Sequence, residues 1–362
     1  MRMGSGCILA LAAAPLAAQT LWTPQHFWRQ ESTYAGAGAC AGCHAEIYRK
    51  QSASNHARSL RPLLEAGEIT SHVPFEIFDR SSGAKLTLMR ASDDRLELVA
   101  RTGASEDKLT LQWAFGSGAK GITPLGRLRD GAFAESRVSW YAATSSFDFT
   151  TGATKFTPQT NSESLGRPLR KEDAVECFGC HTTGTSGDNL EPPRNNMGVR
   201  CERCHGPGAE HIRAVQNPAA TDKKIFRPGT LDGFAQAQMC GVCHGMPPQD
   251  TDFQAIRFIQ EAPNTVRFPS QRLVLSRCFN ETEDGLRCTA CHDPHSNVDA
   301  NRATPEKACL LCHTAGARAG AKICPVAKEN CASCHMPKQQ VMAHSMFTDH
   351  WIRVIHKQAA VQ

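Results

Sequence analysis

Cysteine and histidine are the residues of this 362-residue sequence whose numbers and spacing suggest chemistry. The chain has 17 cysteines, and fourteen of them fall into seven copies of the pattern Cys-x-x-Cys-His. Thiolates and imidazoles are ligands that transition metals prefer. In chain order, the copies form sites 1 to 7: Cys40/Cys43/His44, Cys177/Cys180/His181, Cys201/Cys204/His205, Cys240/Cys243/His244, Cys288/Cys291/His292, Cys309/Cys312/His313 and Cys331/Cys334/His335.

The spacing within each site predicts covalent attachment of a c-type haem. Residues i, i+3 and i+4 share one face of a helical turn. The two thiols can therefore form thioethers with the two haem vinyl groups, while the histidine binds the iron. Zinc ribbons and thiol–disulfide enzymes also use Cys-x-x-Cys pairs, but neither needs histidine at the next position. We expect seven covalently bound c-type haems, with short helices carrying the motifs.

Histidines outside the sites are candidates for the sixth coordination position of the irons. His295 follows His292 by three residues, and three extended residues reach about 10 Å, too little to pass around a porphyrin edge. We therefore expect His295 to bind the iron of a neighbouring haem. The candidate distal ligands are His56, His211, His295, His344 and His350, with His26 and His72 as weaker candidates. A solvated surface histidine is the alternative for each.

The motif-bearing segments resemble bacterial multihaem c-type cytochromes. CTACHDPHSNVDANRATPEKACLLCH, residues 288–313, is similar to the doubled C-x-x-C-H motif of that group. CAGCHAEIYRKQSASNH resembles the opening motif of cytochromes related to the tetrahaem electron carrier of ammonia oxidisers. AHSMFTDHW resembles the C-terminal ligand segment of the group. The resemblance covers roughly residues 35–60 and 174–355, and it implies a haem number rather than a substrate.

The N-terminus, MRMGSGCILALAAAPLAAQT, is typical of a secretory signal peptide with a cleavage site near Ala18. Its apolar run is too short to span a bilayer, so we expect no transmembrane span in the mature protein. Export predicts a periplasmic or extracellular location, which agrees with the many cysteines. A formal net charge of +5 without a long Lys/Arg run argues against nucleic-acid binding.

The close spacing of sites 2 to 7 predicts a mainly α fold with sparse regular structure organised around haems, because few residues per haem remain for a side-chain core. A small β-rich insertion is expected between sites 1 and 2. There KLTLM (85–89) and RLELV (95–99) alternate and should form a hairpin, and LQWAF (111–115) and RVSWYA (137–142) should form further strands. The predicted divisions are a signal peptide at 1–18, an N-terminal segment with haem 1 at 19–73, the insertion at 74–160, and a six-haem cytochrome c core with the C-terminal distal-ligand segment at 161–362.

Cys278 and Cys324 flank the doubled motif and belong to no site. An oxidising compartment favours a disulfide between them, and two free buried thiols are the alternative.

The sequence leaves two main functions open. The first is an electron-transfer protein with mostly bis-histidine haems. It would serve redox partners such as other cytochromes, a quinol-oxidising membrane complex or a terminal reductase. The second is a reductase or oxidase of a small nitrogen or sulfur compound at one open haem. No C-x-x-C-Lys variant marks such a haem, and no catalytic residues can be assigned. A filament-forming cytochrome is a third, structural class.

Overall fold

The computed structural model of the protein describes residues 33–184, 191–249, 251–282, 285–298, 303–315 and 323–355. The predicted signal peptide and the candidate ligand His26 lie outside these ranges. Two short helices around site 1 are followed by a large sheet, and the chain then returns to short helices for sites 2 to 7.

The sheet is antiparallel and has ten strands. In chain order these are β1 (Leu60–Pro62), β2 (Phe75–Asp79), β3 (Ala84–Arg90), β4 (Leu96–Thr102), β5 (Ser105–Phe115), β6 (Gly121–Arg127), β7 (Phe133–Ser136), β8 (Val138–Tyr141), β9 (Ser146–Phe149) and β10 (Gly166–Pro168). The main path runs β10-β7-β6-β5-β4-β3-β2, with the β8–β9 hairpin paired to β6. Strand β5 is eleven residues long, so it pairs with β4 over its first part and with β1 at its end.

Alternating side chains on β3, β4 and β5 build the core of the sheet. Leu86, Leu88, Leu98 and Leu109 are each at most 1% exposed. Their neighbours along each strand point to the other face, as the two-residue period of a strand requires. Burial of one leucine side chain contributes about 1.5–3 kcal/mol. Side chains alone therefore stabilise this part of the molecule.

A second apolar cluster joins the sheet to the helix that carries site 2. Leu60, Trp113 and Phe115 pack against Phe178, which follows Cys177 and is fully buried. The rings of Phe115 and Phe178 meet edge to face, with centroids 5.1 Å apart. The sheet thereby fixes the position of site 2.

Short helices carry or flank the haem motifs. They are α1 (Ala37–Cys40), α2 (Ala45–Ser52), α3 (Gly67–Thr70), α4 (Asn161–Leu165), α5 (Lys171–His181), α6 (Cys201–His205), α7 (Ala209–Gln216), α8 (Gly233–His244), α9 (Phe253–Glu261), α10 (Pro269–Leu273), α11 (Arg277–Asn280), α12 (Ala303–Leu310) and α13 (Cys331–His335). Turns of 3-10 helix cover Leu63–Glu65, Ala153–Lys155, Arg194–Asn196, Pro228–Thr230, Pro263–Arg267 and Cys288–Ala290. A hairpin of β11 (Lys338–Met342) and β12 (Ser345–Thr348) follows site 7.

The predicted mainly α fold is wrong. Among the described residues, 35% are helical and 22% lie in strands. The β-rich part is not a small insertion, because β1 and β10 lie outside the expected 74–160 segment. The hairpin expected from KLTLM and RLELV is confirmed as β3 and β4. The further strands expected from LQWAF (111–115) and RVSWYA (137–142) are confirmed, because these segments lie in β5 and β8. Strand β6 was not predicted, because it contains Pro124 and Gly126.

The predicted disulfide is not formed, because Cys278 and Cys324 are both free thiols. Cys324 is exposed, whereas Cys278 is partly buried and lies near Cys312 of site 6. Burial, and to a smaller extent the neighbouring Cys312 thiol, raise the pKa of the Cys278 thiol. The cysteine that Cys278 approaches is therefore a motif cysteine, not the predicted partner.

Within the described ranges, no helix has the length and apolar character needed to cross a membrane.

Candidate haem-binding sites

Each Cys-x-x-Cys-His motif closes one helical turn. At sites 2 and 4 the motif ends α5 and α8, and at sites 3 and 7 it forms the whole of α6 and α13. At sites 1, 5 and 6 the amide of the motif histidine still donates to the carbonyl of the first cysteine. These distances are 2.9 Å for His44, 3.1 Å for His292 and 2.9 Å for His313. The thiols and the imidazole of each site therefore lie along one turn, as haem attachment requires.

Site 6 differs from the expectation that a helix carries the whole motif. Helix α12 ends at Leu310, so Cys309 lies in the helix but Cys312 lies in the turn beyond it. The Cys312 amide donates to the Cys309 carbonyl at 3.2 Å. Bonds from residue i+3 to residue i tighten the last turn of a helix in this way. Cys312 is partly buried and stays a predicted haem-attachment residue, held by a helix end instead of a helix interior.

Site 5 shows a similar departure. Its 3-10 turn covers Cys288–Ala290, and Cys291 follows the turn with its amide 3.2 Å from the Cys288 carbonyl. Site 1 shares this arrangement, because α1 ends at Cys40 and Cys43 lies in the turn beyond it.

Burial affects the thiols as well. It raises the pKa of Cys177, Cys204 and Cys309 to about 11. At neutral pH these three side chains are therefore protonated thiols in the chain without haem, and not reactive thiolates.

Thiols of different motifs lie against each other. Three pairs are within hydrogen-bonding range: Cys40 with Cys201, Cys180 with Cys243, and Cys240 with Cys288. They join site 1 to site 3, site 2 to site 4, and site 4 to site 5. Weaker electrostatic contacts link site 3 to site 4, and site 6 to sites 5 and 7. The sites therefore form one array in the order 1, 3, 4, 5, 6, 7, with site 2 beside site 4.

Three histidines outside the motifs lie opposite a motif histidine at a distance that suits one iron between them. The ring centroids are 6.0 Å apart for His56 and His244, 6.1 Å for His295 and His205, and 6.2 Å for His350 and His292. An imidazole nitrogen lies about 2 Å from a bound metal, so two imidazoles on opposite sides of one metal have centroids roughly 6 Å apart. Three of the predicted distal ligands are thus placed at sites 4, 3 and 5.

Several histidines donate from Nδ1 to another group, which leaves Nε2 for a metal. The donors and acceptors are His205 to the Phe226 carbonyl (3.0 Å), His350 to the Thr348 carbonyl (3.0 Å), His295 to the Asp293 carboxylate (3.0 Å), His181 to the Ser59 carbonyl (2.8 Å) and His335 to the Arg353 carbonyl (3.0 Å). Metal-ligating histidines usually donate their second N–H in this way, which fixes the tautomer and the ring orientation.

Burial keeps the inner imidazoles neutral. Together with nearby histidines, it lowers the pKa of His244 and of His350 to about 4. Burial also lowers the pKa of His181, His205 and His292. A neutral imidazole keeps the lone pair that binds a metal, so at neutral pH these five residues are in the form that ligation needs.

Residues 292–297 contact the ligands of three sites. His292 is the motif histidine of site 5, and His295 lies at site 3. Between them, the Pro294 carbonyl accepts from Nδ1 of His56, at site 4, at 3.4 Å. The Asn297 side chain accepts from the amide of the residue before His56 at 2.7 Å. The tight spacing of the two histidines in CHDPH therefore brings sites 3, 4 and 5 together.

The other two predicted distal ligands have different surroundings. His211 lies in α7 with its Nδ1 2.6 Å from the Lys223 carbonyl, which leaves its Nε2 free. His344 lies in the turn between β11 and β12, and its Nε2 is 2.7 Å from the Asp148 carboxylate of β9. That contact occupies the nitrogen that a haem ligand would use.

Sequence reasoning missed the charged side chains that hold the sites against one another. Glu202, inside the motif of site 3, is buried and accepts from the amides of Ala35 and Gly36 at 2.7 and 2.9 Å. Arg203 is buried beside it and donates to the Gly179 carbonyl of site 2 at 2.8 Å. Site 3 is thereby tied to the chain before site 1 and to site 2. The sequence feature that could have revealed these contacts is the charged pair between the two cysteines of Cys-Glu-Arg-Cys. When both charged side chains are buried, each needs a polar partner inside the protein.

The donor set fits c-type haem. Each site offers two thiols and an imidazole on one turn, and an opposed imidazole is present at sites 3, 4 and 5. A cavity of about 460 Å³ is lined by His205, Thr289, Cys291, His292 and His295, which belong to sites 3 and 5 or lie next to them. Haem bound there would supply an iron that gains or loses one electron.

Comparisons with known proteins agree with this chemistry. Residues 134–206, from β7 through sites 2 and 3, match the family model for cytochrome c554 and c-prime. The chain is 25% identical over 217 residues to the multihaem cytochrome MtrA of Shewanella baltica (strain OS185). This match covers 54% of this chain and 55% of that protein. The chain therefore spans about half the length of this curated relative.

The fold is similar to that of the outer cell wall cytochrome OcwA. The TM-score is 0.53 and the identity is 16%, with coverage of 89% of this chain and 80% of that chain. At this identity the likeness shows the fold alone. The family match and the curated relative support a multihaem c-type cytochrome that binds its haem covalently.

Proposed function

We propose that the protein is an exported cytochrome whose seven haems pass single electrons between redox partners in the periplasm or at the cell surface. The observation that carries this proposal is the set of three opposed histidine pairs, with centroids 6.0, 6.1 and 6.2 Å apart. An iron with two histidine ligands has no open position for a substrate, whereas it can still exchange electrons.

The proposed axial ligands follow from these pairs. Beside the motif histidines, they are His295 at site 3, His56 at site 4 and His350 at site 5. His211 keeps its Nε2 free and stays a candidate distal ligand without an assigned site. His344 is left out of this set, because its Nε2 contacts a carboxylate.

The contacts between motif thiols support a continuous electron path. Each thiol would be attached to the edge of a bound porphyrin, so motif thiols in contact would bring two haems close together. Sites 1 and 7 are the ends of the array, and each has an exposed cysteine, Cys43 and Cys334. We assign electron entry and exit to these two ends. The partner classes are other cytochromes, a quinol-oxidising membrane complex and a terminal reductase.

Carbon monoxide binding to the reduced holoprotein tests this function. Binding at sites 3, 4 and 5 should be slow, because a histidine must first leave the iron, while electron exchange with redox dyes should stay fast. The variant His295→Ala should add one fast-binding iron. Fast stoichiometric binding in the unaltered protein, with sustained turnover of nitrite or hydroxylamine, would contradict the carrier and support the reductase.

Mass spectrometry of the same preparation tests the number of haems. Seven covalent additions are expected, one for each motif. A count of five or fewer would contradict the seven-site array.

A further inference from the structure

The distal histidine of site 3 has a different hydrogen-bond partner from those of sites 4 and 5. Nδ1 of His295 is 3.0 Å from the carboxylate of Asp293. Nδ1 of His56 and of His350 donates instead to backbone carbonyls, at 3.4 and 3.0 Å. A carboxylate carries a full negative charge at neutral pH, so the three distal imidazoles are not equivalent donors.

The carboxylate of Asp293 is fixed by its own loop. Its Oδ1 also accepts from the backbone amide of His295 at 3.0 Å, and its Oδ2 accepts from the Ser296 hydroxyl at 3.3 Å. Two of these three contacts are to His295, one to its ring and one to its amide. The loop therefore holds the charge in one position relative to the ring.

The chemistry of this contact has a definite direction. A carboxylate that accepts the second N–H of a metal-bound imidazole raises the basicity of that ligand. A more basic ligand and a nearby negative charge both stabilise ferric iron relative to ferrous iron. Both effects therefore lower the reduction potential of the haem.

We propose that Asp293 is a positioning residue that lowers the reduction potential of the haem at site 3 below the potentials at sites 4 and 5. The inference rests on the proposed ligation of that haem by His205 and His295. Site 3 lies between site 1 and site 4 in the array. An electron that enters at site 1 and crosses site 3 is then retained on the side of sites 4 and 5.

The size of the effect follows from exposure. The Asp293 side chain is 48% exposed, so solvent and salt screen part of its charge. Loss of a carboxylate that accepts from a ligating histidine commonly lowers metal affinity or activity by about 10- to 100-fold. Because solvent screens the Asp293 charge, we take the lower figure for the redox equilibrium. A tenfold change in a one-electron equilibrium corresponds to about 59 mV.

The test is an EPR-monitored redox titration of the full-length holoprotein and of Asp293→Asn. Asparagine keeps an oxygen that can accept from the His295 ring and amide, so the loop is retained while the charge is removed. The rings of His205 and His295 are 9° from parallel, whereas the pairs at sites 4 and 5 are rotated by 61° and 46°. The near-parallel pair should therefore give its own rhombic low-spin signal, and His295→Ala assigns it by removing it.

The expected result for Asp293→Asn is a site 3 signal of unchanged shape with a midpoint potential higher by about 59 mV, a tenfold change. The control Asp222→Asn removes an exposed carboxylate that pairs with Lys224, and it should leave every midpoint unchanged.

Three results would overturn the proposal. An unchanged midpoint at site 3 would do so while leaving the histidine ligation intact. An equal rise at sites 3, 4 and 5 would show a general effect of charge instead of one through His295. If His295→Ala removes no low-spin signal, both this inference and the proposed ligation of site 3 are wrong.

Discussion

The sheet and the motif-bearing segment bury hydrophobic side chains very unequally. Twenty-eight buried hydrophobic residues lie between Ala57 and Phe178, whereas five lie in the described part of the chain after Phe178. The sheet has a side-chain core of the ordinary kind. The described part of the segment with sites 2 to 7 lacks one of comparable size, which agrees with the proposal that bound haems fill its interior. One chain thus combines a part that folds by hydrophobic patterning with a part that depends on its cofactors.

Buried ion pairs occur in both regions, and they stabilise different parts of the structure. Arg137 and Asp79 are 3% and 4% exposed and join β2 to the start of β8 inside the sheet region. Arg272 and Asp349 are 3% and 0% exposed and hold the segment that carries His350. In the first region the pair adds to an existing core. In the second it positions a proposed haem ligand.

The largest expected effect is that of haem attachment on the two regions. We expect the full-length chain made without haem attachment to keep slow amide exchange in β3, β4 and β5, because their core consists of side chains. Amides of α8, α12 and α13 should exchange rapidly, because these helices are short and pack on few apolar residues. Hydrogen exchange with mass spectrometry of the haem-free and haem-bound chains measures the amide protection of the sheet and of these helices. Equal protection of the two regions without haem would contradict the comparison.

A smaller effect is expected when the buried ion pair of the sheet is broken. Asp79→Asn leaves the Arg137 guanidinium buried without its counter-charge, and such changes cost about 3–5 kcal/mol. Chemical unfolding followed by circular dichroism should show this loss at pH 7, while the haem absorption spectrum stays unchanged. The control Asp94→Asn alters an exposed pair with Arg90, for which we expect at most about 1 kcal/mol.

The same pair predicts a pH dependence. Burial opposes ionisation of Asp79, but hydrogen bonds from Ser81 and the charge of Arg137 lower its pKa overall. A lowered pKa in the folded state gives stability that is present above the unfolded value of about 3.9 and is lost as the pH falls through the folded value. The difference in unfolding free energy between the unaltered protein and Asp79→Asn should therefore narrow below about pH 4. A constant difference from pH 7 to pH 3 would contradict this account.

The smallest effect concerns a helix that carries a motif. Asp232 caps α8 by accepting from the Ala235 amide at 2.7 Å. Asp232→Ala should cost about 1 kcal/mol, whereas Asp232→Asn should cost little, because asparagine caps equally well. Faster amide exchange in the first turn of α8 of the holoprotein would show this. Exchange as slow in the alanine variant as in the asparagine variant would mean that the attached haem, and not the cap, holds this end of the helix.

The sequence was most informative where the chemistry is local. The haem motifs depend on spacing within one turn, so all seven could be identified, and the alternation in β3 and β4 predicted their hairpin. The position of His295 relative to its own motif also predicted that it faces another site, and its ring lies opposite that of His205. Its partner, His205, could not be found in this way, because the two are joined only through the fold.

The remainder of the fold was missed for a related reason. Strand β6, which was not predicted, contains Pro124 and Gly126, two residues that are uncommon inside a strand. The contacts between the thiols of sites 1 and 3 and of sites 2 and 4 skip over one motif in the chain, so no local pattern reveals the spatial order. The charged pair Glu202 and Arg203 fixes that order through backbone contacts far away in sequence. The end of α12 before Cys312 was missed as well, because neither glycine nor proline marks that boundary within the motif.

Low-temperature EPR of the ferric protein tests the central claim, that three opposed histidine pairs each hold one haem iron. Each of His56→Ala, His295→Ala and His350→Ala should convert one low-spin iron to high-spin and leave the covalent haem count unchanged. The control His72→Ala alters an exposed histidine whose ring lies beside Trp140 of the sheet and not opposite a motif histidine, and it should change nothing. An unchanged low-spin count in the three variants would show that these histidines are not ligands and would contradict the account.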